Sequence, residues 1–150
     1  MNITGNILIN GQWEKGNDSS FNAANPATGE SSTTHFTNAD LAQVDSAVEI
    51  AAQAFDSYSQ YSDAQKAIFL RTIAQELETI RPAIVEHATW ETALPDMRIN
   101  GELGRTIGQL NMFAALLEKG DWKRPVIDLA QPERAPLPKP DLRLTQVPLG

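Results

Sequence analysis

The sequence predicts an α/β chain: two small antiparallel hairpins, then about four helices, then one terminal strand. Three observations predict it. Asn10-Gly11 separates two short apolar runs, the residue pair that a two-residue type I′ hairpin requires. From Leu41 to Leu117, apolar residues recur at spacings of three and four, the period of an amphipathic helix. After Gly120 come Pro125, Pro132, Pro136, Pro138, Pro140 and Pro148, which exclude long helices there.

The elements follow in order. Ile7-Leu8-Ile9 is a β-branched run, and Gln12-Trp13 begins the returning strand. Asn25-Pro26-Ala27-Thr28-Gly29 is a second turn, with strand residues 20–23 before it and 31–36 after it. A first helix is expected over about 39–57, capped by Thr37 or Asn38, with Leu41, Val44, Val48, Ala51, Phe55 and Tyr58 as its apolar stripe. Ser62-Asp63-Ala64-Gln65 is a capping box opening a second helix, with Phe69, Ile73, Leu77 and Ile80 as its stripe. Pro82 suits the first turn of a third, carried by Ile84, Val85 and Ala88 and ending near Leu94-Pro95. A fourth spans about 96–118, burying Ile99, Leu103, Leu110, Phe113 and Leu117, and Gly120 stops it. Residues 141–147 alternate and read as an exposed or edge strand. Three segments result: hairpins over 1–36, helices over 37–120, and a proline-rich connection with its strand over 121–150. Val147-Pro148-Leu149-Gly150 reads as a chain entering its next strand.

The chain has 150 residues, enough for one sizeable core. Its net charge of −7 speaks against a nucleic-acid partner, which needs clustered Lys and Arg, and against an anionic membrane surface. No apolar run approaches the roughly 20 residues of a membrane span. Met1-Asn2-Ile3-Thr4-Gly5 lacks the features of a secretion signal, so a cytoplasmic location is expected. There is no cysteine, hence no thiol nucleophile and no disulfide within these residues, a composition compatible with a reducing compartment.

Neither G-x-G-x-x-G nor G-x-x-x-x-G-K-[ST] occurs, so no nucleotide cradle is expected here. His35 and His87 are the only histidines. His87 and Glu91 form an H-x-x-x-E spacing that reads better as a mixed-charge helix surface than as a metal site. More unusual are Gly101, Gly104 and Gly108, at i, i+3 and i+7 on one helix face. Each costs about 1 kcal/mol relative to alanine in a helix interior. Either the bare face admits another backbone, or it lines a channel. Arg105 projects beside it, and a planar guanidinium suits both oxygens of a carboxylate. Lys139, Asp141 and Arg143 mark either a guarded edge strand or one used in subunit pairing.

Several segments resemble the aldehyde dehydrogenase superfamily in consecutive order. Leu8-Ile9-Asn10-Gly11-Gln12-Trp13 resembles its "(F/L)-I-N-G-x-W" opening, and Asn25-Pro26-Ala27-Thr28-Gly29-Glu30 its "N-P-A-T-G-E" turn. Residues 44–55 resemble "V-x-x-A-V-x-x-A-x-x-A-F". Glu91-Thr92-Ala93-Leu94-Pro95 resembles "E-x-G-x-P", with Ala93 where glycine is common, and residues 143–150 resemble "R-x-P-x-G". Within that superfamily, residues 98–110 are similar to the "R-x-x-G-E-x-G-R-T-x-G-Q-L" helix of α-ketoglutaric semialdehyde (2,5-dioxopentanoate) dehydrogenases. The resemblance covers essentially the whole chain.

It implies the N-terminal part of that fold, with the Rossmann-like cofactor core largely outside it, and an enzyme oxidising 2,5-dioxopentanoate to 2-oxoglutarate with NAD or NADP. It implies that the fourth helix borders the substrate entrance, with Arg105 meeting the carboxylate of the aldehyde and Gly101 and Gly108 keeping the path clear. The family's chemistry uses a cysteine thiolate, an oxyanion site and a glutamate that activates water, and no motif for those steps occurs here. No catalytic, cofactor-binding or metal-binding residue is therefore expected in this segment, which alone is expected to be inactive and, because its helical stripes lack part of their burial partner, poorly folded or aggregation-prone. A homo-oligomer, dimer or tetramer, is expected of the full-length protein. The alternatives are a dehydrogenase for another aldehyde, such as succinic semialdehyde, or a non-enzymatic helical interaction module.

Overall fold

A computed structural model describes residues 3–149. Met1 and Asn2, and the Gly150 that ends the expected entry into a further strand, lie outside the described residues.

Strands β1 (Ile7–Ile9) and β2 (Gln12–Glu14) pair antiparallel with Ile9 opposite Gln12. Asn10 and Gly11 both have positive φ, 51° and 73°, which is the type I′ geometry that residue pair favours. Strands β3 (Ser20–Phe21) and β4 (Phe36–Thr37) pair antiparallel, and the Phe21 and Phe36 rings stack at 5.5 Å. Between them Asn25 Oδ1 accepts the backbone N–H groups of Ala27 and Thr28, forming the turn expected there.

Helix α1 (Leu41–Tyr58) is capped by neither Thr37 nor Asn38 but by Asp40. Its carboxylate accepts the Gln43 N–H at 2.8 Å, and Gln43 reaches back to the Asp40 N–H. The two expected caps are engaged elsewhere: Thr37 Oγ1 accepts the Gly16 N–H, and Asn38 Nδ2 donates to Ser19. Gly16 is required there, because a Cβ would lie 2.2 Å from the Asn38 carbonyl oxygen. Buried Gln43 completes the clasp by accepting from Asn17 N–H and donating to the Lys15 carbonyl. Asp40→Ala removes the cap and is expected to lower stability by about 1 kcal/mol, read as a shift in the urea midpoint.

Helices α2 (Asp63–Thr79), α3 (Arg81–Thr92) and α4 (Asp96–Lys119) form the packed part. The Ser62–Gln65 capping box is formed, and Pro82 lies in the first turn of α3. The seam between α2 and α4 differs from the expected stripes. Phe69 is 51% exposed, and Ile80 and Phe113 are also exposed, whereas Ala67, Ala74 and Ala114 are buried. Small side chains let the two helix backbones approach, which turns the bulkier neighbours outward. Arg71 fastens the seam at its edge through both Glu118 oxygens, at 3.2 and 2.7 Å. That hydrogen bond holds the Glu118 carboxyl below its ordinary range. Val85, Ile99 and Leu103 form the core cluster, with Leu77, Ile84, Ala88 and Ile107 against it.

Helix α3 ends on Ala93, in the left-handed region at φ 54°, ψ 19°. That conformation costs a non-glycine residue about 1–2 kcal/mol, part of which glycine returns through a more flexible unfolded chain. Ala93→Gly is therefore expected to stabilise by about 0.5–1 kcal/mol, detected as a rise in Tm.

The α1 stripe is formed but largely uncovered, with Leu41 82% exposed and Val44 and Val48 also exposed. After a 3₁₀ turn at Asp121–Lys123, β5 (Val126–Asp128) pairs antiparallel with β6 (Leu142–Leu144). The expected strand over 141–147 is thus shorter, and its partner, β5, was not expected beside Pro125. Every residue of this ribbon is exposed. Lys139 pairs with Asp128 and Arg143 with Asp141.

Candidate functional site

Helix α4 turns about 100° per residue. That advance places Arg105 opposite Leu103 and Ala114, the buried positions that face α3 and α2. Gly101 and Gly108 flank Arg105 on the same outward side, and Gly104 borders it. All three glycines are exposed, and a Cβ built on any of them would meet nothing within 4 Å. Among the described residues no backbone approaches this strip, so close packing within them does not account for the glycines.

Arg105 is exposed and forms no ion pair among the described residues. Two turns earlier Arg98 is held by Glu102, Nη2 to Oε1 at 2.6 Å. Met97 and Met112, both exposed, stand at the ends of the strip. The arrangement is a long helix with one edge free of side chains, one unpaired guanidinium and apolar rims. It can hold a carboxylate in bidentate fashion and lay an aliphatic segment along the strip.

The histidines do not join this face. His35 Nδ1 lies 3.1 Å from Asn22 Oδ1 beside the second hairpin, and His87 is half-buried in α3. Among the described residues no three His, Asp or Glu side chains gather closely enough to hold a metal. No helix among them is long and apolar enough to cross a membrane.

One feature gave no signal in the sequence: an open groove of about 690 Å³ where the ends of α1 and α4 meet α2, lined by Phe55, Tyr58, Leu70, Phe113, Leu117 and Trp122. It is apolar, and it does not include Arg105. The Trp122 indole N–H is buried there without an acceptor among the described residues. Trp122 between Gly120 and Pro125 was the residue that could have drawn attention to it.

The model of the aldehyde dehydrogenase family matches residues 13–148. The chain is 42% identical over its full length to α-ketoglutaric semialdehyde dehydrogenase 2 of Azospirillum brasilense, and 40% identical over 97% of its length to α-ketoglutaric semialdehyde dehydrogenase of Acinetobacter baylyi. It spans 29% and 28% of those two proteins. In fold it is similar to an NAD-dependent benzaldehyde dehydrogenase from Corynebacterium glutamicum, with TM-score 0.76, 23% identity, and coverage of 86% of this chain and 28% of that one. A betaine aldehyde dehydrogenase from Staphylococcus aureus in complex with NAD+ gives TM-score 0.70 at 19% identity, covering 83% of this chain and 25% of that one.

Proposed function

The chain belongs to the aldehyde dehydrogenase family, and on that premise we propose that it is the N-terminal portion of an NAD(P)-dependent enzyme oxidising 2,5-dioxopentanoate to 2-oxoglutarate. The observation that carries the reading is identity of 40–42% along essentially the whole chain to two α-ketoglutaric semialdehyde dehydrogenases. The geometry of α4 supports it, because the substrate carries a carboxylate and Arg105 is a free guanidinium beside an open strip.

The residues here do not fit the dinucleotide. Its pyrophosphate needs a glycine-rich turn that offers unbonded N–H groups at a helix start. The α4 glycines instead lie inside the helix, where their N–H groups are committed to the helix's own carbonyls. Other parts of the full-length protein would hold it and supply the cysteine nucleophile absent from these residues. What this segment contributes is recognition: Arg105 fixes the acid end of the substrate, and Gly101 and Gly108 leave room for its carbon chain. The exposed β5–β6 ribbon is the edge through which subunits of a homo-oligomer, dimer or tetramer, would pair. A cytoplasmic location completes the reading.

Assay of the full-length protein tests it. kcat/KM is expected to be higher with 2,5-dioxopentanoate than with succinic semialdehyde, and the opposite ranking would reject the substrate. A gene whose reading frame closes at codon 150 would favour the interaction module instead.

A further inference from the structure

We infer that Glu102 sets the charge number of the Arg105 site and restricts it to ligands carrying a single carboxylate. The inference rests on the Arg105 reading above. From Met97 to Met112, α4 carries three ionisable side chains: Arg98, Glu102 and Arg105. Glu102 stands between the two cations in sequence, and its carboxylate is taken by Arg98 at 2.6 Å. Two positive groups and one negative leave a net single positive charge, located on Arg105. Two arginines of other helices reach this stretch of α4, Arg81 at Asn100 and Arg71 at Asn111, and each is itself held at 2.7 Å, by Glu78 and by Glu118. Among the described residues, neither of these guanidiniums is free to meet a second carboxylate.

Arg98 and Arg105 are seven residues apart, about 10 Å along the axis and on nearly the same side of the helix. Both side chains are long enough to converge on one small diacid. What prevents this is the Arg98–Glu102 pair, which competes for Arg98. Glu102→Gln keeps the shape of the side chain and removes its charge, so Arg98 becomes available.

The test uses the full-length enzyme and two competitive inhibitors of equal carbon number, pentanoate with one carboxylate and glutarate with two. At fixed ionic strength, Glu102→Gln is expected to shift the ratio of the two inhibition constants toward glutarate by roughly two- to fivefold, the range for an exposed charge pair. The double variant Arg98→Met with Glu102→Gln is expected to return the ratio to that of the unmodified enzyme, which ties the gain to Arg98. An unchanged ratio in Glu102→Gln overturns the inference, and so does a gain that persists without Arg98. Arg105→Ala separates the two levels. Loss of pentanoate inhibition there, with no response to Glu102→Gln, overturns the inference alone. Pentanoate inhibition that survives Arg105→Ala overturns the Arg105 reading and this inference with it.

Discussion

Arg105→Ala is expected to lower kcat/KM of the full-length enzyme for 2,5-dioxopentanoate by about ten- to a hundredfold, from a charged hydrogen-bonded contact of roughly 1.5–3 kcal/mol. Oxidation of pentanal, which has no carboxylate, is expected to change less than about twofold. The asymmetry follows from where Arg105 lies. It is on the side of α4 facing away from the α2 and α3 seam, and it pairs with no acidic group among the described residues, so its removal breaks no internal contact. Equal losses with both aldehydes would show that the residue supports the fold or the reaction centre instead of the acid end. Arg105→Lys refines the test, because an ammonium keeps the charge and loses the two-pronged geometry.

Leu103→Ala is expected to lower the unfolding free energy by about 2–5 kcal/mol, measured by urea denaturation of the full-length protein. Leu103 is 7% exposed and sits with Val85 and Ile99 in the cluster that joins α3 to α4. Truncation removes its own burial and leaves a space that Ile84 and Ile107 cannot close without moving the helices. Met97→Ala is the control: Met97 is 85% exposed, and its loss is expected to change stability by no more than about 0.5 kcal/mol. Similar losses for the two variants would mean that the cluster is not where α4 gains its hold.

Local chemistry made the turns and the helices legible. Asn10-Gly11 specifies its hairpin through backbone conformation alone, and Ser62 with Gln65 specifies a helix start through two hydrogen bonds within four residues. The wrong cap on α1 has a long-range cause: Thr37 bonds to Gly16, twenty-one positions earlier, and nothing in the local sequence shows that partner. The α2 stripe held at Ile73 and Leu77 but failed at Phe69 and Ile80, for a related reason. Hydrophobicity ranked Phe69 above Ala67, but the seam was decided by how closely two helices could approach. Strand β5 was hidden because three residues beside a proline carry little pattern, and its pairing with β6 crosses the intervening proline-rich stretch. At the site, the spacing of Gly101, Gly104, Arg105 and Gly108 was legible as a shared face, whereas the pairing of Arg98 with Glu102 depends on the conformations of two long exposed side chains, which spacing permits but does not fix.

The bare edge of α4 also governs how its backbone meets water. Side chains ordinarily shade the carbonyls of a helix, and at Gly101, Gly104 and Gly108 that shade is gone. Solvent-side carbonyls tilt outward and their bonds lengthen slightly, bowing a long helix convex toward the wet side. Within this one helix, amide protons near the glycines therefore trade with solvent sooner than those of Leu103 and Ala114, so protection varies around the circumference of the rod as well as along it.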